Sequence, residues 1–305
     1  MVKPLRVIVN KGGGAASRAG DALIEQIEAA FAAADLPVAV EAIEGDNIAE
    51  QVKAAAADGA VVVGGGDGTL GSAAAIVSKA GATLGILPLG TRNHLARQLG
   101  IPMDLPGAAR VIADGQKCRI DLSSVNDHIF VNNASIGMYP AMVRARDNLQ
   151  HRHGIPKWIA NVPAGWKTLA TLRHHRMRLT MDGAAKPVRT PLLFVGNNVY
   201  SLDLGKVGQR DALDDGKLSI FAVSPNSRAG LIGFGLRAMI GKSNVDKDFC
   251  ALGVCETMRL SAHARSIEVA IDGEIVRLET PLKFKVMPGA LEVFSGIKQG
   301  APARS

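Results

Sequence analysis

Cysteine and aromatic side chains are scarce in this chain, and each shortage closes off a class of protein. The three cysteines, Cys118, Cys250 and Cys255, are an odd set without a CxxC pair. They offer neither a disulfide framework nor a zinc site, and a reducing compartment is the setting expected of them. Phe, Trp and Tyr together make up 4% of the residues, too few for a platform that stacks single-stranded bases. Long apolar runs are missing as well. The most apolar helix-like window, Ala229 to Ile240, is interrupted by Arg237 and falls short of the roughly 20 residues that a bilayer-spanning helix needs. Met1-Val2-Lys3-Pro4 runs straight into a strand-like segment without a signal peptide's apolar region. The expected location is cytoplasmic, with any membrane contact peripheral at the inner membrane surface. No internal repeat and no low-complexity stretch interrupts the sequence.

What is present is an ordinary globular composition, 47% hydrophobic and 21% charged over 305 residues, a length that favours two domains. The net charge of +7 suits an anionic partner, whether nucleotide, nucleic acid or acidic membrane. Charge is the sole support for nucleic acid, which is not expected as a partner.

Strand and helix patterns alternate through the first 120 or so residues. Apolar runs at Leu5–Val9, Val38–Ala42, Ala60–Val63 and Leu84–Leu87 are separated by helical periodicity at Asp21–Ala34, Ile48–Ala57 and Leu70–Lys79, with another helix from Asn93. Such alternation predicts an α/β domain with a parallel sheet and helices on both faces. Beyond residue 122 the pattern becomes β-rich. Short strand-like runs at 128–132, 177–181, 192–195, 218–223, 257–261, 267–271, 275–278 and 282–286 are interrupted by helical stretches near 157–173 and 228–241. Asp182-Gly183 and Asp272-Gly273 are hairpin-turn dipeptides. The prediction is an antiparallel β sandwich as the second domain, with a division into residues 1–122 and 123–298.

The run Val61 to Leu70 reads Val-Val-Val-Gly-Gly-Gly-Asp-Gly-Thr-Leu. A buried strand ends in glycines and turns into a helix, so Gly64, Gly65, Gly66, Asp67, Gly68 and Thr69 sit where backbone N–H groups can approach a phosphate. The same residues also suit a tight turn with Asp67 or Thr69 as N-cap. The spacing is neither GxGxxG nor a P-loop. Asn10 and Lys11 close the first strand, and Thr91 and Asn93 follow the fourth, all at the edge of the sheet where open α/β sheets bind ligands. Thr91 also suits a helix N-cap.

Gly65-Gly-Asp-Gly-Thr69 resembles the nucleotide motif of the diacylglycerol kinase catalytic-domain family, which includes sphingosine and ceramide kinases and bacterial soluble lipid kinases. Pro88-Leu-Gly-Thr-Arg-Asn-His-Leu-Ala-Arg-Gln-Leu-Gly-Ile-Pro102 looks like its second motif, PLGTxNxxAxxLGIP. The resemblance continues through Asp215-Gly216 and Asp272-Gly-Glu274, over most of the chain. It departs at Asn10-Lys-Gly-Gly-Gly14, where the family usually has Asn-Pro, and at Glu41-Ala42-Ile43, where a threonine is usual. The resemblance implies a two-domain kinase with ATP in the cleft, held by Asn10, the glycine motif, Thr91 and Asn93. It implies Mg2+ on Asp215 and on the carbonyls of Ala212 and Lys217, although Asp211 to Leu218 also suits a plain acidic turn. It implies Glu274 and Asp67 in the catalytic set, with Glu274 as the base that takes a proton from a lipid hydroxyl, and diacylglycerol is the leading acceptor.

The stretch from Arg144 to Arg178 is basic, with Trp158 and Trp166 eight apart, and is expected either to lie on an anionic lipid surface or to be an interdomain helix. His151, His153, His174 and His175 are read as surface residues. A second copy of the chain is carried as a further partner. The rival enzyme is an NAD kinase, whose family also has a GGDGT-like loop. The rival from another class is a non-catalytic nucleotide- or lipid-binding regulator, against which Asp215 and Glu274 both speak.

Overall fold

The computed structural model describes residues 3–12, 22–137, 175–200, 210, 212–223 and 249–297. The helical stretches expected near 157–173 and 228–241 lie outside the described residues, as does the basic segment up to residue 174. The chain divides into two compact units, one formed by Met1–Leu122 with Met287–Ser305 and the other by Ser123–Val286.

In the first unit, β1 (Leu5–Asn10), α1 (Ala22–Ala32), β2 (Val38–Ile43), α2 (Ile48–Ala56), β3 (Ala60–Gly65), α3 (Asp67–Ala80), β4 (Thr83–Pro88), α4 (His94–Gln98) and α5 (Leu105–Ala113) follow one another. The strands are parallel in the order β2-β1-β3-β4. Val7, Ile8 and Val9 are all at most 1% exposed. Successive strand residues point to opposite faces, so both faces of the sheet are covered. Helix α1 packs with α5, and α2 with α3. This is the α/β arrangement expected from the alternation.

The second unit begins within β5 (Lys117–Val125) and continues through β6 (His128–Phe130), β7 (Asn133–Gly137), β8 (His175–Met181), β9 (Ala184–Thr190), β10 (Leu192–Asn197), β11 (Leu218–Val223), β12 (Phe249–Cys255), β13 (Thr257–Ala262), β14 (Ser266–Ile271), β15 (Glu274–Glu279) and β16 (Leu282–Phe294). Six strands form one antiparallel sheet, β12-β11-β10-β7-β14-β15. Facing it, the first residues of β16 pair with β13, β13 with β8 and β8 with β9, all antiparallel. Phe130, Ile136, Leu179, Val195, Ile220, Leu260 and Phe284 fill the core between them. Both Asp-Gly dipeptides are two-residue hairpin turns with positive φ at each position, 42° and 90° at Asp182-Gly183 and 47° and 95° at Asp272-Gly273.

Strand β16 departs from the expected division. Its run through Pro288 and Gly289 carries it on to pair with β4 through Glu292 and Val293, parallel, so residues from Met287 belong to the first unit. Thr83 donates to Glu292 at 2.6 Å, and the Lys117 ammonium adds a 3.0 Å ion pair to the same carboxylate. All three cysteines are free, and burial pushes the Cys255 thiol up to about 12, so it stays protonated.

Candidate active site

Each unit carries one part of the expected site. In the first, Asn10, the glycine turn and the loop after β4 stand at the C-terminal ends of neighbouring parallel strands. The Asn10 amide donates to the Thr69 hydroxyl at 2.9 Å, and its carbonyl oxygen accepts from the Gly12 N–H at 2.8 Å. The first loop is thereby tied to the glycine turn.

The two motifs also lock onto each other. The Asp67 carboxylate accepts the backbone N–H of His94 at 2.8 Å, the first residue of α4. Asn93 is buried and left-handed, and its amide spans its own loop: the oxygen accepts from Gly90 and the nitrogen donates to the carbonyls of Pro88 and Gly90. A Cβ on Gly90 would stand 2.5 Å from the Gly66 Cα, so glycine there lets the two loops touch. The N-cap of α3 is Gly66, not Asp67 or Thr69, and that of α4 is Asn93, not the exposed Thr91.

The glycines of the turn divide into two kinds. A Cβ on Gly65 would meet Thr69 at 2.7 Å, and one on Gly64 would meet Leu89 at 2.9 Å. Packing alone requires glycine at both. At Gly66 the nearest atom would be 3.5 Å away, and at Gly68 nothing lies within 4 Å. Neither has a positive φ. The fold therefore asks for no glycine at these two positions, which sit at the N-terminus of a 14-residue helix without a side-chain cap. That is the space and the donor set a phosphate group needs.

In the second unit, Asp215 is exposed. Its Oδ2 accepts the Val199 N–H at 3.1 Å, and its own N–H donates to Asn198 Oδ1 at 3.1 Å. Oδ1 of Asp215 has no partner among the described residues. The Lys217 carbonyl accepts one bond, from the Asn198 N–H at 2.9 Å, and keeps a second lone pair. The Lys217 ammonium is turned instead to Glu256, 2.6 Å away. A free carboxylate oxygen and a main-chain carbonyl with a spare lone pair are the kinds of donor that suit magnesium, which keeps several waters and phosphate oxygens in its shell. No group of three or more His, Cys, Asp or Glu side chains gathers among the described residues.

Glu274 stands exposed at the first position of β15, just past the Asp272-Gly273 turn. The turn is anchored by Asp272, whose carboxylate accepts the N–H groups of Val131, Asn132 and Asn133 at 2.8–3.0 Å. Burial pushes this carboxyl up, against the pull of those three donors. The carbonyl side of the same segment is held by Arg210. Its guanidinium donates to the Val131 carbonyl at 2.7 Å and to Asn132 Oδ1 at 3.1 Å, and lies over the Tyr200 ring. Tyr200 in turn donates to the Asn132 carbonyl at 3.0 Å. Residues 131–133 thus bridge the turn before Glu274 and the strand end that leads to Asp215. Sequence reading missed Arg210, Tyr200 and the inward carboxylate of Asp272, which it took only as a turn former. Asp-Gly turns occur with or without a buried acid, so no local signal marks it.

The first unit, with its glycine turn, and the second, with its antiparallel sandwich, each match a known domain. Residues 4–125 match the diacylglycerol kinase catalytic domain, and residues 134–295 match the YegS C-terminal NAD kinase beta sandwich-like domain. The chain belongs to the diacylglycerol kinase catalytic-domain family, with a YegS-type sandwich as its second domain. A protein from Pseudomonas aeruginosa named probable lipid kinase YegS-like is 29% identical over 279 residues, 88% of this chain and 89% of that protein. A diacylglycerol kinase from Staphylococcus aureus is 28% identical over 173 residues, 56% of this chain and 54% of that protein. The chain spans about half the length of that protein and of a matched Synechocystis protein, of which 56% is covered. In fold, a crystal structure of a diacylglycerol kinase from Bacillus anthracis superimposes with a TM-score of 0.67 at 21% identity, over 96% of this chain and 97% of the other.

Proposed function

We propose that this protein is an ATP- and Mg2+-dependent lipid kinase that phosphorylates a lipid hydroxyl, with diacylglycerol as the leading acceptor. The observation that carries the reading is the pair Gly66 and Gly68, glycines that no packing contact or backbone angle demands at an uncapped helix start. In the reaction, the acceptor oxygen forms its bond to the γ-phosphorus as the bond to the β–γ bridging oxygen breaks. ADP leaves, and the hydroxyl proton passes to Glu274. The N–H groups at the start of α3 hold the phosphates. Asp67, through the His94 N–H, keeps the second motif against the first. Asp215 with the carbonyls of Ala212 and Lys217 would hold magnesium, which neutralises charge on the phosphates during transfer.

Two substitutions test one residue in each unit. At φ −89° and ψ −179° Gly66 is extended backbone open to alanine, so Gly66→Ala should keep the fold and stabilise it by up to about 1 kcal/mol. Its Cβ enters the phosphate space, and calorimetry with a non-hydrolysable ATP analogue should register at least a tenfold loss. Unchanged affinity would remove the phosphate from this turn. Asp215→Asn takes away a charge at nearly constant volume. It should raise the magnesium concentration for half-maximal rate tenfold or abolish turnover; an unaltered magnesium curve would move the metal to another carboxylate.

The NAD kinase reading stays alive because the second domain matches a sandwich described as NAD kinase-like. Labelled ATP offered with dispersed diacylglycerol and with NAD side by side separates the two. Label in the lipid phase is the expected result, and label in the nicotinamide nucleotide alone would overturn the lipid-kinase reading.

A further inference from the structure

The outward face of the sheet that runs from β16 through β13 and β8 to β9 carries charge of one sign. Inward positions on these strands, such as Phe284, Leu260 and Leu179, belong to the core. The alternate positions point out. They hold Lys283 and Lys285 on β16, Arg259 on β13, Arg176 and Arg178 on β8 and Arg189 on β9, and all six are exposed. None of the six takes part in an ion pair among the described residues.

Register makes this arrangement costly. Arg259 stands directly opposite Lys283, and Arg176 directly opposite Arg189. Like charges at paired cross-strand positions destabilise a sheet. A merely solvated face would gain from one glutamate at any of these places. The acids at its margin are engaged elsewhere: Asp182 accepts the N–H groups of Glu256 and Thr257, and Glu256 pairs with Lys217 at 2.6 Å. The Asp182 carboxyl is held below its ordinary value mainly by the Thr257 N–H, so it stays charged yet bound to backbone.

We propose that this cationic sheet face is the surface by which the protein docks on an anionic bilayer, with headgroup phosphates as its ligands. The proposal rests on the lipid-kinase reading, which requires an acceptor dissolved in membrane. A guanidinium fork fits phosphate oxygens in pairs, and four of the six cations are arginines. The remaining outward positions on these strands include Thr180, Ala185, Thr257 and Ser261 but no aromatic side chain. That leaves nothing to stack bases, and favours a bilayer over nucleic acid. Of the basic segment singled out in the sequence, Arg176 and Arg178 are the members among the described residues, and both lie on this face.

The test uses the full chain and a triple variant, Arg178→Gln, Arg259→Gln and Lys283→Gln. Cosedimentation is measured with vesicles of phosphatidylcholine alone and of phosphatidylcholine with phosphatidylglycerol. The unaltered protein should bind the anionic vesicles, be released by salt, and bind the neutral ones poorly. Each basic residue near the surface strengthens binding about fivefold, so the triple variant should bind roughly a hundredfold more weakly. Loss of the Arg259–Lys283 repulsion predicts an unchanged or higher Tm, which excludes misfolding as the cause. Phosphorylation of detergent-dispersed diacylglycerol should be unaltered in the variant. Equal binding of both proteins to anionic vesicles would overturn the assignment, as would equal binding of the unaltered protein to both vesicle types. So would tighter binding to duplex DNA than to anionic vesicles at the same salt. If the unaltered protein leaves dispersed diacylglycerol unphosphorylated, the kinase reading fails, while the vesicle comparison still decides the surface.

Discussion

Glu274→Gln is expected to lower kcat by about 10²–10⁴-fold, the usual contribution of a positioned general base, while affinity for an ATP analogue stays near normal. The substitution keeps the side chain's shape at the mouth of β15 and removes its ability to take a proton. Glu274 is exposed, so stability should hardly change. The Tm serves as the control, and single-turnover rates isolate the chemical step from product release. A kcat loss of under about threefold would exclude Glu274 as the base. A large rise in KM for ATP without a fall in kcat would make it a binding residue instead.

The second large effect is on folding. Asp272→Ala should destabilise the protein by about 3 kcal/mol, because three backbone N–H groups, those of Val131, Asn132 and Asn133, lose their acceptor together. For a unit of this size that corresponds to a fall in Tm of roughly 6–12 °C. The loss should not stop at stability. The same carboxylate fixes the turn that presents Glu274, so the variant assayed well below its Tm should still show a depressed kcat. Asp272→Asn keeps one acceptor oxygen and should recover part of both. A variant as stable as the unaltered protein would mean that water satisfies those N–H groups and that the turn stands without its anchor.

Much of the architecture was legible because local pattern and tertiary need agree. The parallel strands β3 and β4 are buried on both faces and read as apolar runs, closed by glycine and by proline. The two Asp-Gly turns announced hairpins because two consecutive residues with positive φ are tolerated by few other pairs. Where the reading fell short, a local signal was outweighed. Strand β9, Ala-Ala-Lys-Pro-Val-Arg-Thr, has no alternation and carries Pro187, which a strand accepts at an edge. Strand β12 is bent by an irregular register near Gly253. Helix α5 begins Leu105-Pro106-Gly107, which looks like a loop, yet proline fits a first helical turn and Asp104 caps it by accepting the Gly107 N–H at 2.8 Å.

The candidate site divides in the same way. Its glycine motif and acidic turns were visible because spacing along the chain carries them. Which glycines serve packing and which leave open space is a matter of what lies across the turn, as Thr69 and Leu89 do at Gly65 and Gly64. Arg210 and Asp272 meet residues 131–133 from positions 78 and 140 residues away along the chain. No window of sequence contains such a pairing.

Strand β16 has a consequence for how the protein comes into being. The parallel sheet of the first unit is encoded almost entirely in residues 1–122, but the strand that pairs with β4 follows the whole sandwich along the chain. β4 is buried at every position in the finished protein. On the ribosome, it must wait as an uncovered sheet edge while the whole sandwich is synthesised. Such an edge is a template for pairing with other chains. The order of synthesis therefore makes the first unit a late finisher, and its completion depends on residues that emerge only after the second unit is whole.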